Sequence, residues 1–111
     1  MLLNFTEIEE TVLPNPRGGQ GEMISRIVQD GDNKIMYARL TPGSSIGLHT
    51  HERDSEVVYI LSGAGKALYG GEYEPLSAGS CHYCPKGRAH SIINDGAEDL
   101  VFLAVIPVHN P

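Results

Sequence analysis

Two histidines stand two residues apart at His49 and His51, and a glutamate, Glu56, follows five residues after the second. On an extended strand alternate side chains share a face, so His49 and His51 project together while Thr50 points away. The four residues between His51 and Glu56 are enough to fold the carboxylate back beside the imidazole pair. Imidazole nitrogen and carboxylate oxygen together suit Mn, Fe, Ni, Cu or Zn. A second block, Gly79 to Asn94, contains His90 and can supply a third imidazole.

The first block reads G-x5-H-x-H-x4-E-x6-G from Gly43 to Gly63, and the second reads G-x5-P-x-G-x2-H-x3-N from Gly79 to Asn94. In order and in register, the two blocks resemble the two motifs of the cupin family at every defining position. The resemblance implies an all-β, single-domain jelly-roll (double-stranded β-helix) barrel over residues 1–111, and it implies that His49, His51, Glu56 and His90 bind one divalent transition metal inside it. Three neutral imidazoles and one carboxylate would leave such an ion a residual charge of about +1 and, in octahedral geometry, about two open positions. A centre of that kind can hold a bidentate oxygen ligand such as a keto or hydroxy acid. A metalloenzyme acting on a small oxygen-rich metabolite is therefore expected, by dioxygenase, decarboxylase, isomerase or lyase chemistry. The alternative is a non-catalytic, metal-dependent binding or sensing module, because fold alone does not decide function. The expected ligand is anionic or oxygen-chelating.

The elements that must position these residues read as short strands. Met23 to Gln29 and Ile35 to Thr41 are rich in β-branched and long apolar residues, with a turn at Asp30 to Asn33. Gly70-Gly71 is a hairpin signal between Lys66–Tyr69 and Glu72–Glu74. Glu56 to Ser62, Ser80 to Cys84, Ser91 to Asn94 and Leu100 to Val108 complete the set, with no helical period. Residues 1–13 could form a first strand or a short helical turn, and Pro14 to Gly21 is a loop by composition.

Alternation assigns faces. With Glu56 inward, Val58 and Ile60 must also point inward. One parity of Met36 to Leu40 faces the cavity. If it is Tyr37 and Arg39, Arg39 is a candidate carboxylate clamp; otherwise Arg39 faces solvent. Tyr59, Tyr83 and Phe102 read as packing residues and His109 as a surface residue. Either Cys81 with Tyr83 or His82 with Cys84 lines the cavity. His82 is outside the ligand set, and its loss is expected to leave metal retention unchanged. Cys81 and Cys84, three apart on a strand, face opposite sides and should stay free thiols.

With 111 residues the chain has room for one domain and one core. Its net charge of −6 and scattered basic residues argue against a nucleic-acid partner. Leu100 to Val108, interrupted by Pro107, is too short an apolar run to span a bilayer, so no membrane partner is expected. The acidic N-terminal residues do not read as a signal peptide, which makes a cytoplasmic location the expectation. Small cupins often pair barrel to barrel, so the resemblance also implies a homodimer.

Overall fold

The structure is a computed structural model and describes residues 1–110. It is an all-β single domain of ten strands in two sheets. β1 (Thr11–Pro14), β2 (Glu22–Gln29), β3 (Asn33–Leu40), β5 (Glu56–Ser62), β8 (Cys81–Cys84) and β10 (Leu100–Pro107) form a six-stranded sheet in the order β1-β2-β3-β10-β5-β8. β4 (Ser45–Thr50), β9 (Ala89–Ile93), β6 (Ala64–Tyr69) and β7 (Glu72–Ser77) form a four-stranded sheet in the order β4-β9-β6-β7. Every strand pair is antiparallel.

The expected turns are present. The Asp30 carboxylate accepts from the amides of Asp32 and Asn33, which closes the β2–β3 hairpin. Gly70 and Gly71 both have positive φ, 61° and 78°, as the two-residue hairpin between β6 and β7 requires. Both readings of the N-terminal residues apply: a 3-10 turn at Phe5–Glu7 precedes β1. The loop before β2 also carries a 3-10 turn at Pro16–Gly18.

The core draws on the inward parity of both sheets. Met36, Ala38 and Leu40 of β3, Val58 and Ile60 of β5, and Phe102 and Ala104 of β10 meet Ile46, Ala67, Leu76 and Ile92 of the second sheet. Burying each large apolar side chain contributes about 1.5–3 kcal/mol. This parity answers the question about β3. Tyr37 and Arg39 face outward, and Arg39 is half-exposed and paired with Asp99 at 3.0 Å and Glu10 at 3.6 Å. Arg39 is therefore no clamp in the cavity. Phe102 is fully buried, but Tyr59 and Tyr83 are exposed, which corrects their reading as packing residues. Their odd positions on β5 and β8 place them on the outer sheet face, opposite Glu56, Val58, His82 and Cys84. Both cysteines are free, Cys81 exposed and Cys84 buried, as alternation requires.

Candidate metal site

The site lies where the two sheets meet. His49 of β4 and His90 of β9 are direct cross-strand partners, which brings their rings together by register alone. A β-bulge interrupts the pairing between Ile46 and His49. Simple alternation from the buried Ile46 would send Leu48 inward and His49 outward. The extra residue reverses that parity, leaving Leu48 exposed and His49 turned in. His51 follows just beyond β4, tied by its amide to the Arg88 carbonyl at 3.0 Å. Glu56 opens β5 on the same parity as Val58 and Ile60.

The loop that folds Glu56 back is held by the C-terminal segment. The His109 amide donates to the Arg53 carbonyl at 2.7 Å, the Ser55 amide donates to the Pro107 carbonyl at 3.3 Å, and the His109 ring bonds the Ser55 hydroxyl at 2.8 Å. His109 is thus exposed, as expected, but also part of the support for the loop.

His49, His51, Glu56 and His90 each aim one ligand atom at a common point, all within 4.8 Å of one another. The His51 Nε2 lies 3.2 Å from His49 Nε2 and 3.0 Å from His90 Nε2. Glu56 Oε1 lies 3.2 Å from His51 Nε2 and 2.9 Å from His90 Nε2. The opposite ring nitrogens are committed elsewhere. His49 Nδ1 donates to the Gly47 carbonyl at 2.7 Å, and His51 Nδ1 to the Asp54 carboxylate at 2.6 Å. His90 Nδ1 lies 2.9 Å from His82 Nε2, and His82 Nδ1 lies 2.8 Å from the Glu74 carboxylate. A carboxylate only accepts, so His82 is protonated at Nδ1 and its bare Nε2 accepts from His90.

In their neutral forms, then, all three cluster histidines carry hydrogen on Nδ1 and present lone pairs at Nε2. Three lone pairs and a carboxylate packed about 3 Å apart repel one another unless a cation sits among them. Adjacent ligands of an octahedral ion with bonds of about 2.0–2.2 Å are themselves about 3 Å apart. The donor set therefore fits a single divalent ion and can coordinate one.

Without an ion, protons on the ring nitrogens take the place of the cation beside Glu56. Burial holds the His49 imidazole below its usual pKa, only partly offset by its bond to Gly47. His51 is raised by its hydrogen bond to Glu56, against the opposing effect of burial. Burial pushes the Glu56 carboxyl up, but hydrogen bonds from His51 and His90 outweigh it and hold the group down to about 2. Burial lowers His82 despite its bond to Glu74. It pushes the Cys84 thiol up to about 11, so that thiol is inert rather than a redox partner.

Three residues near the site were not assigned to it from the sequence. His82 is buried, stacked on His90 with centroids 5.1 Å apart and bonded to it, which corrects the expectation that it is unrelated to the metal. Such outer partners orient a ligating imidazole and raise its basicity. Arg17 and Lys34 line the cleft above the cluster together with His49, His51 and Glu56. That cleft encloses about 440 Å³, solvent at its mouth included, and has apolar walls from Met23, Met36, Ile46 and Ile106. Its mixture of apolar wall and few polar groups suits a small ligand.

A cupin-domain family model matches residues 36–106. An oxalate-binding protein of Thermotoga maritima is 40% identical over 113 aligned positions, covering 96% of this chain and 93% of the relative. A beta-alanine degradation protein of Pseudomonas aeruginosa is 33% identical over 67 positions, covering 59% of this chain and 70% of the relative. The crystal structure of a predicted oxalate decarboxylase from Thermotoga maritima superimposes with a TM-score of 0.91 at 37% identity, covering 97% of this chain and 99% of the other. The buried cluster resembles a metalloenzyme active site and sits in the same fold as the Thermotoga structure. The chain belongs to the cupin family.

Proposed function

We propose that this cupin holds one divalent transition ion, of Mn, Fe, Ni, Cu or Zn, on His49, His51, Glu56 and His90, and that it is an enzyme of small oxygen-chelating acids of the oxalate kind. The observation that carries the reading is the convergence of three imidazole nitrogens and one carboxylate oxygen, with the other nitrogen of each ring bonded outside the cluster. An ion there would supply Lewis-acid polarisation of chelating oxygens, or redox chemistry. The chain's own residues fix ligand tautomers, hold Glu56 ionised, and surround the ligand with apolar wall that limits water. Decarboxylation is the reaction class the Thermotoga likeness supports best, ahead of oxygenation, isomerisation and lyase chemistry.

One observation favours a second reading, a metal-dependent binding module. Among the residues lining the cleft, Glu56 supplies the only carboxyl group. A decarboxylase must protonate the carbon left by carbon dioxide, and Lys34 is the one remaining titratable donor in the lining besides the histidines and Arg17. Metal analysis and turnover separate the readings. Freshly purified protein should hold stoichiometric metal, His90→Ala should lose it through desalting, and His82→Ala should weaken it by about 10–100-fold. Full retention by His90→Ala would make the site assignment wrong. Metal-loaded protein given oxalate or a small keto acid should release carbon dioxide. Stoichiometric binding without turnover of any acid would move the assignment to the binding module.

The same reading takes the two facing sheets as the walls of a closed jelly-roll barrel and the functional form as a homodimer. The two free thiols suit a reducing compartment such as the cytoplasm.

A further inference from the structure

We propose that Arg17 and Lys34 form a cationic mouth that binds the outward-facing oxygens of a ligand chelated at the metal cluster, so that the site selects compact dianionic acids over monoanionic ones. The proposal rests on the metal-site reading above and names the residues that set its ligand preference.

Both residues line the cleft that contains His49, His51 and Glu56, and both also line an adjoining opening beside His51 and Asp54. They are the only cations in either lining. Arg26, Arg39 and Lys66 are paired with carboxylates, while Arg53, Lys86 and Arg88 have no carboxylate partner among the described residues but stand outside both linings. Arg17 and Lys34 make no ion pair and no side-chain hydrogen bond among the described residues. Asp54, the carboxylate that lines the adjoining opening, is already committed to His51. A protein of net charge −6 thus keeps two unneutralised cations at the mouth of the candidate metal cluster.

The position of Arg17 is built, not incidental. Its backbone sits in the left-handed region at φ 53°, two residues after Asn15 at φ 48°, and both are non-glycine residues. Such a conformation persists only where the surroundings impose it. Here they do. The Asn15 amide donates to the Gly21 carbonyl at 2.8 Å, and the Ser45 amide to the Gln20 carbonyl at 2.9 Å. The Gln20 amide donates to the Ser45 hydroxyl at 3.0 Å. The loop lies so flat on β4 that a Cβ on Gly47 would come within 2.3 Å of the Arg17 carbonyl oxygen. Gly47 is also the residue whose carbonyl orients His49, so the arginine and the ligand are referenced to the same point.

Lys34 is fixed differently. It lies on the inward parity of β3, with Met36, Ala38 and Leu40, opposite Ile106 of β10. A planar guanidinium suits two carboxylate oxygens, and an ammonium adds a point charge to the same anion.

The test is calorimetry on metal-loaded protein with oxalate as dianion and glycolate as monoanionic chelator, for wild type, Arg17→Gln, Arg17→Gly and Lys34→Gln. Glycine suits a positive φ, so Arg17→Gly should keep or raise the melting temperature, and loss of binding in that variant is not loss of fold. Oxalate affinity should fall by about tenfold or more in both Arg17 variants, with glycolate changed far less and metal content unchanged. Lys34→Gln should show a smaller loss in the same direction. Oxalate binding at wild-type affinity in both Arg17 variants would overturn the proposal while leaving the metal site intact. If wild type binds neither acid, the proposed function fails first and this inference falls with it.

Discussion

His51 is the residue on which proton and metal compete most directly. In the ion-free protein its hydrogen bond to Glu56 raises its pKa above the ordinary 6.5, and Asp54 adds to the effect against burial. Glu56 is held down to about 2 by the same pair. The His51 contribution to stability is fully present below 6.5 and is lost as pH rises through the raised folded value. The Glu56 contribution is present above 4.5 and is lost as pH falls toward about 2. The imidazolium–carboxylate pair therefore supports the ion-free fold best between those two limits. Metal uptake has the opposite preference, because a ligating imidazole must give up its Nε2 proton. Affinity should be level above the raised His51 value and fall as pH drops below it, by up to about tenfold per pH unit for one displaced proton. His49, kept neutral by burial, adds its own loss only at lower pH. Chelator competition across pH, with calorimetry in buffers of different ionisation enthalpy, measures both the slope and the protons released. A level affinity from neutral down to about pH 5 with no proton release would contradict these protonation states.

At the scale of elements, Gly47 in the β4 bulge does two things at once. It turns His49 inward, and by lacking a side chain it lets the loop around Arg17 lie on the strand. Gly47→Ala should force that loop away, since the added carbon would sit 2.3 Å from the Arg17 carbonyl oxygen. A loss of about 1–3 kcal/mol is expected from the overpacking, and urea unfolding of the metal-free protein would read it. An unchanged midpoint would mean that the loop yields without cost. These details show where the sequence could be read and where it could not. The four cluster residues were legible because H-x-H spacing and strand alternation bring chemistry to one face. The β5 wall and the Gly70-Gly71 hairpin were legible for similarly local reasons. His82 was not, because Ser80 to Cys84 carries no apolar alternation to say which parity is buried. Tyr59 and Tyr83 misled because aromatic residues on a strand suit either face. Lys34 shares the parity of Met36 and could have been found once that face was known. Arg17 had no such signal, since its place depends on a loop pinned across 25 residues of sequence to Ser45.

At the scale of the molecule, the outer face of the six-stranded sheet remains to be accounted for. Register aligns Tyr37, Leu103, Tyr59 and Cys81 in one row across β3, β10, β5 and β8. Ile35, Val105, Val57 and Tyr83 form the next. Tyr59 is 44% exposed and Tyr83 55%, and Leu61 of the same face is 41% exposed. The N-terminal turn covers only one side of this surface, where Phe5 stacks on Tyr37 at 5.7 Å. A second copy related by a two-fold axis would bury this aromatic and aliphatic sheet face against itself, which is where the proposed dimer is expected to form. The metal cleft opens elsewhere, among His49, His51 and the Arg17 loop, so such pairing would leave it accessible. Light scattering should therefore find twice the 12.0 kDa chain mass at micromolar concentration. Tyr59→Glu tests the face itself. Its side chain points outward, so the fold should tolerate the change, while two carboxylates brought near the symmetry axis would repel and be desolvated. That variant should run as a folded monomer with its metal retained. A wild-type monomer would end the dimer proposal, and a Tyr59→Glu protein that remains dimeric would place the interface on another surface.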